Sequence, residues 1–296
     1  MVRRLTATAE TPPTPRQLVC TANAVVSLRQ NGRVTERRND LIASLRGTLD
    51  QTLVALDFDG TLAPIVGDPR ASRPADGAVE AMRQLAAAGA QLAVITGRAV
   101  GTVLELGGLD DVPGLIIEGI YGAERWQDGR LSTPDTPASI DSLRRELPAL
   151  LTSLPVDPTV WIEDKRLSLV VHARRAPDPE AALRQLREPM DTLVTGLGLE
   201  AHPGRHMIEV RLPGFDKGGA LRRLLAETGR RQVLFAGDDL GDLPAFAVLA
   251  ELRRAGRTAW SVAVASDEVP EVTTAAMLTV ADPAALVDLL SDLLTT

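Results

Sequence analysis

Leu53-Val54-Ala55-Leu56-Asp57-Phe58-Asp59-Gly60-Thr61-Leu62 sets the architecture of the whole chain. Four apolar residues running into two carboxylates at i and i+2 read as a buried parallel strand whose charged groups sit at its C-terminal edge. Gly60 lets the backbone turn sharply there. In open α/β sheets that edge is where ligands bind. One carboxylate can attack a phosphorus atom to give an aspartyl-phosphate while its neighbour handles the proton. An ordinary strand end with an Asp-Gly turn has the same local sequence, so the reading depends on what the rest of the chain supplies.

Three further segments supply parts that phosphoryl chemistry needs. Leu92-Ala93-Val94-Ile95 is a second apolar strand ending in Thr96-Gly97-Arg98. Its hydroxyl and free backbone N–H groups can hold phosphoryl oxygens. Thr96 also reads as the N-cap of a helix starting near Val100. Lys217 opens a helical pattern through Leu221, Leu224 and Leu225. A lysine is the wrong charge for a helix N-terminus, which points to an anion in front of it. Val233-Leu234-Phe235-Ala236 then leads into Gly237-Asp238-Asp239-Leu240-Gly241-Asp242. Aspartates crowded at a strand end repel one another unless a cation neutralises them, and hard oxygen ligands suit Mg²⁺. An acidic surface loop is the alternative.

Strand and helix patterns alternate from Leu53 onward. Ala75–Ala88 carries Val79, Met82, Leu85 and Ala86 at helical spacing, stops at Gly89 and is followed by the Leu92–Thr96 strand. This is a βαβ unit, which predicts parallel strands. About 120 residues separate Thr96 from Lys217, too many for one crossover. They contain a helical stretch at Ile140–Leu154, strand-like Val160–Ile162 and Leu167–His172, and a helix over Pro179–Leu197. The expected fold is α/β, a Rossmann-like parallel-sheet core with an inserted α+β cap. The expected boundaries are a core at 50–126 and 213–296, a cap at 127–212, and an N-terminal extension at 1–49 that is partly disordered or a short helix.

In this order, the Asp57–Leu62, Thr96–Arg98, Lys217-Gly218 and Gly237–Asp242 motifs resemble those of the haloacid-dehalogenase-like phosphohydrolases. Within them, Glu163-Asp164-Lys165, the strand ending His172-Ala173-Arg174, and Glu209-Val210-Arg211-Leu212-Pro213 are similar to the trehalose-6-phosphate phosphatases. The resemblance covers roughly residues 50–290. It implies a C2-type cap and Mg²⁺-dependent hydrolysis of trehalose 6-phosphate to trehalose and phosphate, with possible functional coupling to a trehalose-6-phosphate synthase. Asp57 is then the nucleophile and Asp59 the general acid and base. Thr96 and Lys217 hold the phosphoryl oxygens, with Gly97 and Arg98 beside them. The metal residues are Asp57, Asp59 and Asp238, with Asp239 or Asp242 in support. Glu163, Lys165 and Glu209 are the sugar-binding candidates. Glu163 and Lys165 are best placed at a hairpin tip, because a continuous strand would put them on one face with Leu167, Leu169 and Val171. An exposed charged hairpin is the alternative for these residues, as are a core histidine for His172 and a surface arginine for Arg174.

The chain departs from the resembled pattern at Gly241-Asp242-Leu243-Pro244, where Thr-Asp-Glu-Asp is usual, and at Gly119-Ile120-Tyr121-Gly122-Ala123-Glu124, where Gly-Asn-His-Gly-x-Glu is usual. Rival readings are a capped phosphatase for sucrose 6-phosphate or mannosyl-3-phosphoglycerate, a phosphosugar mutase, and a catalytically silent sugar-phosphate-binding module. A silent module is free to lose Asp57 or Asp59, and both are present.

Composition narrows the classes further. Lys and Arg total 32 against 39 Asp and Glu, a net charge of −7 that argues against nucleic-acid binding. The single cysteine, Cys20, excludes an internal disulfide framework and fits a reducing cytoplasm. With three histidines and one cysteine, zinc and Cys-nucleophile chemistries lack materials. No apolar run approaches bilayer length, and Arg3-Arg4 is followed by a polar, proline-bearing stretch unlike an export signal.

Overall fold

The computed structural model describes residues 34–204, 206–265 and 269–295. The Arg3-Arg4 pair, the proline-bearing stretch after it and Cys20 lie outside them. A helix α1 (34–45) leads into β1 (Thr52–Leu56), α2 (Ala78–Ala87), β2 (Gln91–Ile95), α3 (Val100–Gly107) and β3 (Ile116–Gly119). β4 (Glu124–Gln127) and β5 (Arg130–Ser132) follow as a hairpin. After a second, smaller unit the chain returns through α6 (Lys217–Thr228), β10 (Gln232–Gly237), α7 (Leu243–Arg254), β11 (Ala259–Val264), α8 (Pro270–Ala275), β12 (Leu278–Val280) and α9 (Pro283–Asp292).

These strands make an eight-stranded sheet in the order β12-β11-β10-β1-β2-β3-β4-β5. It is parallel from β12 to β3, and β4 and β5 add antiparallel. The strand carrying Asp57 is central, between β10 and β2. Both sheet faces are covered, so alternate residues enter different cores. Val54, Leu56, Leu234 and Ala236 pack on the face covered by α1, α2, α3 and α9, and Leu53, Ala55, Val233 and Phe235 on the face covered by α6, α7 and α8.

One sequence expectation shifts. The large sheet continues past residue 127 to Ser132, so Arg130–Ser132 is bonded into the core sheet instead of opening the cap. Asp128 and Gly129, both at positive φ, make a two-residue turn that returns the chain at once. The N-terminal extension, expected to be partly disordered or a short helix, is helical over 34–45. Its helix has an apolar inner edge, with Leu41 and Leu45 fully buried, and its charged outer face ties to the C-terminal elements. Arg38 pairs with Asp292 at 2.7 Å, and Trp260 donates to Ser44 Oγ at 2.8 Å.

The smaller unit contains α4 (Ala138–Ser153), β6 (Trp161–Asp164), β7 (Ser168–His172), α5 (Pro179–Gly196), β8 (Glu200–Gly204) and β9 (Met207–Arg211). Its strands form an antiparallel sheet ordered β6-β7-β9-β8. Leu169, Val171, Ile208 and Val210 face α4 and α5 and pack with Ile140, Leu143, Leu186 and Met190. By the twofold period of a strand, the opposite face carries Trp161, Glu163, Ser168, His172, Met207, Glu209 and Arg211. That polar face looks toward the C-terminal ends of β1, β2 and β10, as the cavity below shows.

Candidate active site

Each core motif lies where its strand ends. Asp57 follows β1, Thr96 follows β2 and Asp238 follows β10, on three adjacent parallel strands. Gly60 sits at φ +75°, and a Cβ there would overlap the Asp238 carboxylate. The turn after β1 therefore has to be glycine to let the third strand's carboxylate approach. Thr61 Oγ1 donates to Asp238 Oδ1 at 3.0 Å, which orients that carboxylate further.

Asp57, Asp238 and Asp242 are buried and bring carboxylate oxygens within 4.8 Å of one another. Lys217, the first residue of α6, is buried with them, 2.8 Å from Asp57 Oδ1 and 2.7 Å from Asp242 Oδ1. The anion expected in front of this helix-start lysine is thus a pair of the protein's own carboxylates. Asp216 caps the helix by accepting from the Gly219 N–H at 2.6 Å. Burial, with Asp238 and Asp239 nearby, pushes the Asp57 carboxyl well above its ordinary range against the pull of Lys217. Burial and the repulsion of Asp242 and Asp239 raise Asp238 to about 7. Burial alone would lower Lys217, but Asp242, Asp57 and Asp239 outweigh it and hold the ammonium well above the usual lysine range. One cation among three buried carboxylates leaves the cluster short of positive charge, and an all-oxygen donor set of this kind fits a hard divalent cation.

The two candidate supporting aspartates separate clearly. Asp242 is fully buried and accepts from the backbone N–H groups of Asp238 and Asp239 at 2.9 and 3.0 Å. Asp239 points outward, its side chain 58% exposed and 3.8 Å from Lys217. Gly241-Asp242-Leu243-Pro244 therefore keeps an acidic residue in the inner cluster despite its unusual neighbours. Asp59 stands outside the three-carboxylate group. Arg98 clasps it through Nε at 2.5 Å and Nη2 at 2.6 Å, and donates to the Pro69 carbonyl at 3.0 Å. The guanidinium expected to meet substrate is thus engaged in positioning Asp59. Thr96 is buried, and its Oγ1 accepts from the Arg98 N–H at 3.1 Å, closing the Thr-Gly-Arg loop. It does not cap α3; Glu124 reaches from β4 to accept from the Val100 N–H at 2.9 Å.

A cavity of about 670 Å³ joins core and cap, lined on one side by Asp57, Asp59, Thr96, Gly97, Arg98 and Lys217, and on the other by Glu163, Lys165, His172 and Arg174. Glu163 and Lys165 flank the turn between β6 and β7, where Arg166 takes φ +72°. The hairpin-tip placement expected from the pattern is the one observed, and Leu169 and Val171 go to the helix-covered face. Glu163 accepts from His172 Nε2 at 2.8 Å, and this interaction lowers the Glu163 carboxyl despite partial burial. The His172 ring stacks on Trp161 with centroids 4.5 Å apart. Glu209 lies behind the cavity wall. It is 2% exposed and accepts from Ser168 Oγ at 2.9 Å, Tyr121 Oη at 2.7 Å and Lys165 Nζ at 3.4 Å. Tyr121 also lines the cavity, and its one trace in sequence was the departure at 119–124. Ile65 and Val66 form an exposed apolar edge of the same cavity, with no sequence signal to mark them.

A sequence model described as Trehalose-phosphatase matches residues 55–284. A trehalose-phosphate phosphatase of Mycobacterium marinum is 31% identical over 255 residues, covering 80% of this chain and 60% of that protein. The corresponding protein of Mycobacterium tuberculosis H37Rv is 32% identical over 250 residues, covering 78% of this chain and 61% of that protein. The chain thus spans about three-fifths of the length of the curated relatives it matches. A solved trehalose-6-phosphate phosphatase of Aspergillus fumigatus superposes with a TM-score of 0.64 at 25% identity, over 88% of this chain and 96% of that one. With the motifs converging on one cavity and the match running through core and cap alike, the chain belongs to the trehalose-phosphatase family.

Proposed function

We propose that the protein is a Mg²⁺-dependent phosphatase that hydrolyses trehalose 6-phosphate to trehalose and phosphate through an aspartyl-phosphate on Asp57. The observation that carries this reading is the single cavity with Asp57 and Lys217 on one wall and Glu163 and Lys165 on the other. An anionic ester group fits the first wall, and a polyhydroxylated leaving group fits the second.

Asp57, Asp238 and Asp242 would hold the Mg²⁺, which when bound supplies the positive charge that keeps Asp57 ionised and lets an anionic ester approach it. Asp57 attacks phosphorus and the bond to the sugar oxygen breaks. Asp59, placed by Arg98, gives its proton to that departing oxygen. Asp59 then takes a proton from water as the water attacks the aspartyl-phosphate, and phosphate and the Asp57 carboxylate are released. Lys217 and the Thr96 loop hold the phosphoryl oxygens throughout. The single-cysteine composition supports a cytoplasmic setting, and the substrate implies functional coupling to a trehalose-6-phosphate synthase. Among the described residues no helix is long and apolar enough to cross a membrane.

Phosphate release from a panel of trehalose, sucrose and glucose 6-phosphates and mannosyl-3-phosphoglycerate, with Mg²⁺ and with EDTA, tests the reading. Trehalose 6-phosphate should be the preferred substrate, and EDTA should stop turnover until Mg²⁺ is restored. Preference for another ester would overturn the substrate, and full activity in EDTA would overturn the metal.

A further inference from the structure

Tyr121 is the chain's single tyrosine, and it is held from every side. It follows Ile120 at the end of β3, and both residues adopt left-handed backbone, with φ of 46° for Ile120 and 57° for Tyr121. For a β-branched residue followed by an aromatic one this is a strained turn, the kind that persists only where surrounding contacts over-determine it. Two backbone bonds fix it to the phosphate loop: the Ile120 N–H donates to the Arg98 carbonyl and the Tyr121 N–H to the Thr96 carbonyl, both at 2.9 Å.

From that strained turn the side chain passes over Gly97 into the cap. A Cβ on Gly97 would lie 2.7 Å from the phenolic oxygen, so the middle residue of Thr-Gly-Arg leaves the space the phenol occupies. The hydroxyl donates to Glu209 Oε2 at 2.7 Å, and the Arg211 guanidinium lies 4.0 Å over the ring centroid. Arg211 is 7% exposed and its Nε makes no hydrogen bond, so the ring face is a principal partner of this cation, along with His202. Glu209 in turn receives Lys165, which faces the cavity.

Resting on the sugar-phosphate reading above, we propose that Tyr121 is a positioning residue for sugar recognition, clamping Glu209 and Arg211 of the cap to the phosphate loop and so placing Lys165 in the cavity wall. The phosphate end and the sugar end of the site are thereby set at a fixed distance by one phenol.

Tyr121→Phe removes only the hydroxyl. Its kcat/KM for trehalose 6-phosphate should fall about tenfold, the scale of a lost hydrogen bond to a charged group, and the loss should lie mainly in KM. In the Glu209→Gln background the same change should cost less than about twofold, because the partner charge is already gone. Independent, multiplying losses would overturn the proposal, as would a loss confined to kcat. A second measurement needs no substrate. Burial and the Glu209 carboxylate hold the Tyr121 hydroxyl well above the ordinary tyrosine range, with Lys217 and Arg211 opposing. As the only tyrosine, its ionisation is read directly in the near ultraviolet. Glu209→Gln should move that ionisation to lower pH, and an unmoved titration would refute the clamp. If the wild-type protein hydrolyses another ester instead, the substrate assignment fails while this titration still decides the clamp.

Discussion

The two walls of the cavity carry similar numbers of charges and treat them in opposite ways. In the core, the side chains of Lys217, Asp57 and Asp242 are 3%, 5% and 0% exposed, and they pair within 2.8 Å. In the cap, Glu163 is 47% exposed while its partner His172 is nearly buried, and Lys165 meets Glu209 at a loose 3.4 Å. Water reaches Glu163 and leaves its carboxylate free to change partners, while Lys165 and Glu209 behind it are 19% and 2% exposed. The core's charges have exchanged water for one another, so any change there is felt in full. On the proposed reading, stabilising a phosphoryl group falls to the buried core wall, and recognising hydroxyls falls to the wall that carries the exposed Glu163.

The contrast predicts a hierarchy of effects. Asp57→Asn keeps the shape of the side chain but cannot attack phosphorus, and turnover should fall on the order of 10⁴-fold or more, measured as phosphate release. Retention of substantial activity would mean that the buried wall is not the site of covalent chemistry. Glu163→Ala or Lys165→Ala should lower kcat/KM for trehalose 6-phosphate by roughly 10–10²-fold while altering hydrolysis of p-nitrophenyl phosphate little, since that small ester does not reach the cap. Equal losses on both esters would erase the distinction between the walls. Asp239→Ala, which removes an exposed carboxylate, should change kcat by less than about threefold, in contrast to Asp242→Ala beside it.

The buried wall also makes stability depend on pH in a defined direction. Asp238 is raised to about 7, so between the ordinary aspartate range and pH 7 the folded protein holds a proton that the unfolded chain has lost. In the absence of divalent cation, its contribution to stability is therefore full below about pH 4 and declines as pH rises through 7, with a limiting slope of about 1.4 kcal/mol per pH unit. Thermal unfolding in EDTA across that range should show the decline, and saturating Mg²⁺ should flatten it. A curve unaffected by Mg²⁺ would remove the cation from the cluster.

Much of this arrangement was legible in the sequence because strand ends announce themselves. An apolar run breaking into Asp57, Thr96 or Asp238 marks both the strand and the edge where its functional groups lie. The hairpin tip was legible too, since Glu163 and Lys165 could not share a face with Leu169 and Val171. What escaped depends on contacts between distant segments. Nothing local distinguishes Asp242 from Asp239; the backbone N–H groups that turn one inward are set by the 3₁₀ turn after β10. The helix cap supplied by Glu124, which leaves Thr96 free to close its own loop, spans two elements. The charges of 34–40 leave helix and disorder both open, because the burial of the helix rests on Leu41 and Leu45 just beyond them. Arg98 looked like a substrate ligand, and only the fold brings Asp59 within its reach.

The position of β1 in the sheet has a consequence for how the molecule comes to exist. Its register joins Thr52 to Gln232, a sequence separation of 180 residues, whereas the cap sheet closes entirely within 161–211. Loop-closure entropy weighs against the long pairing and hardly against the short ones. Loop closure therefore favours early pairing of the cap strands, and until β10 pairs with β1 the Asp57 carboxylate lies on an edge open to water. Only when β10 docks do Asp238 and Asp242 arrive beside it, with Lys217 from the helix just before. Chain topology thus favours closure of the cap sheet before the three-carboxylate cluster is complete.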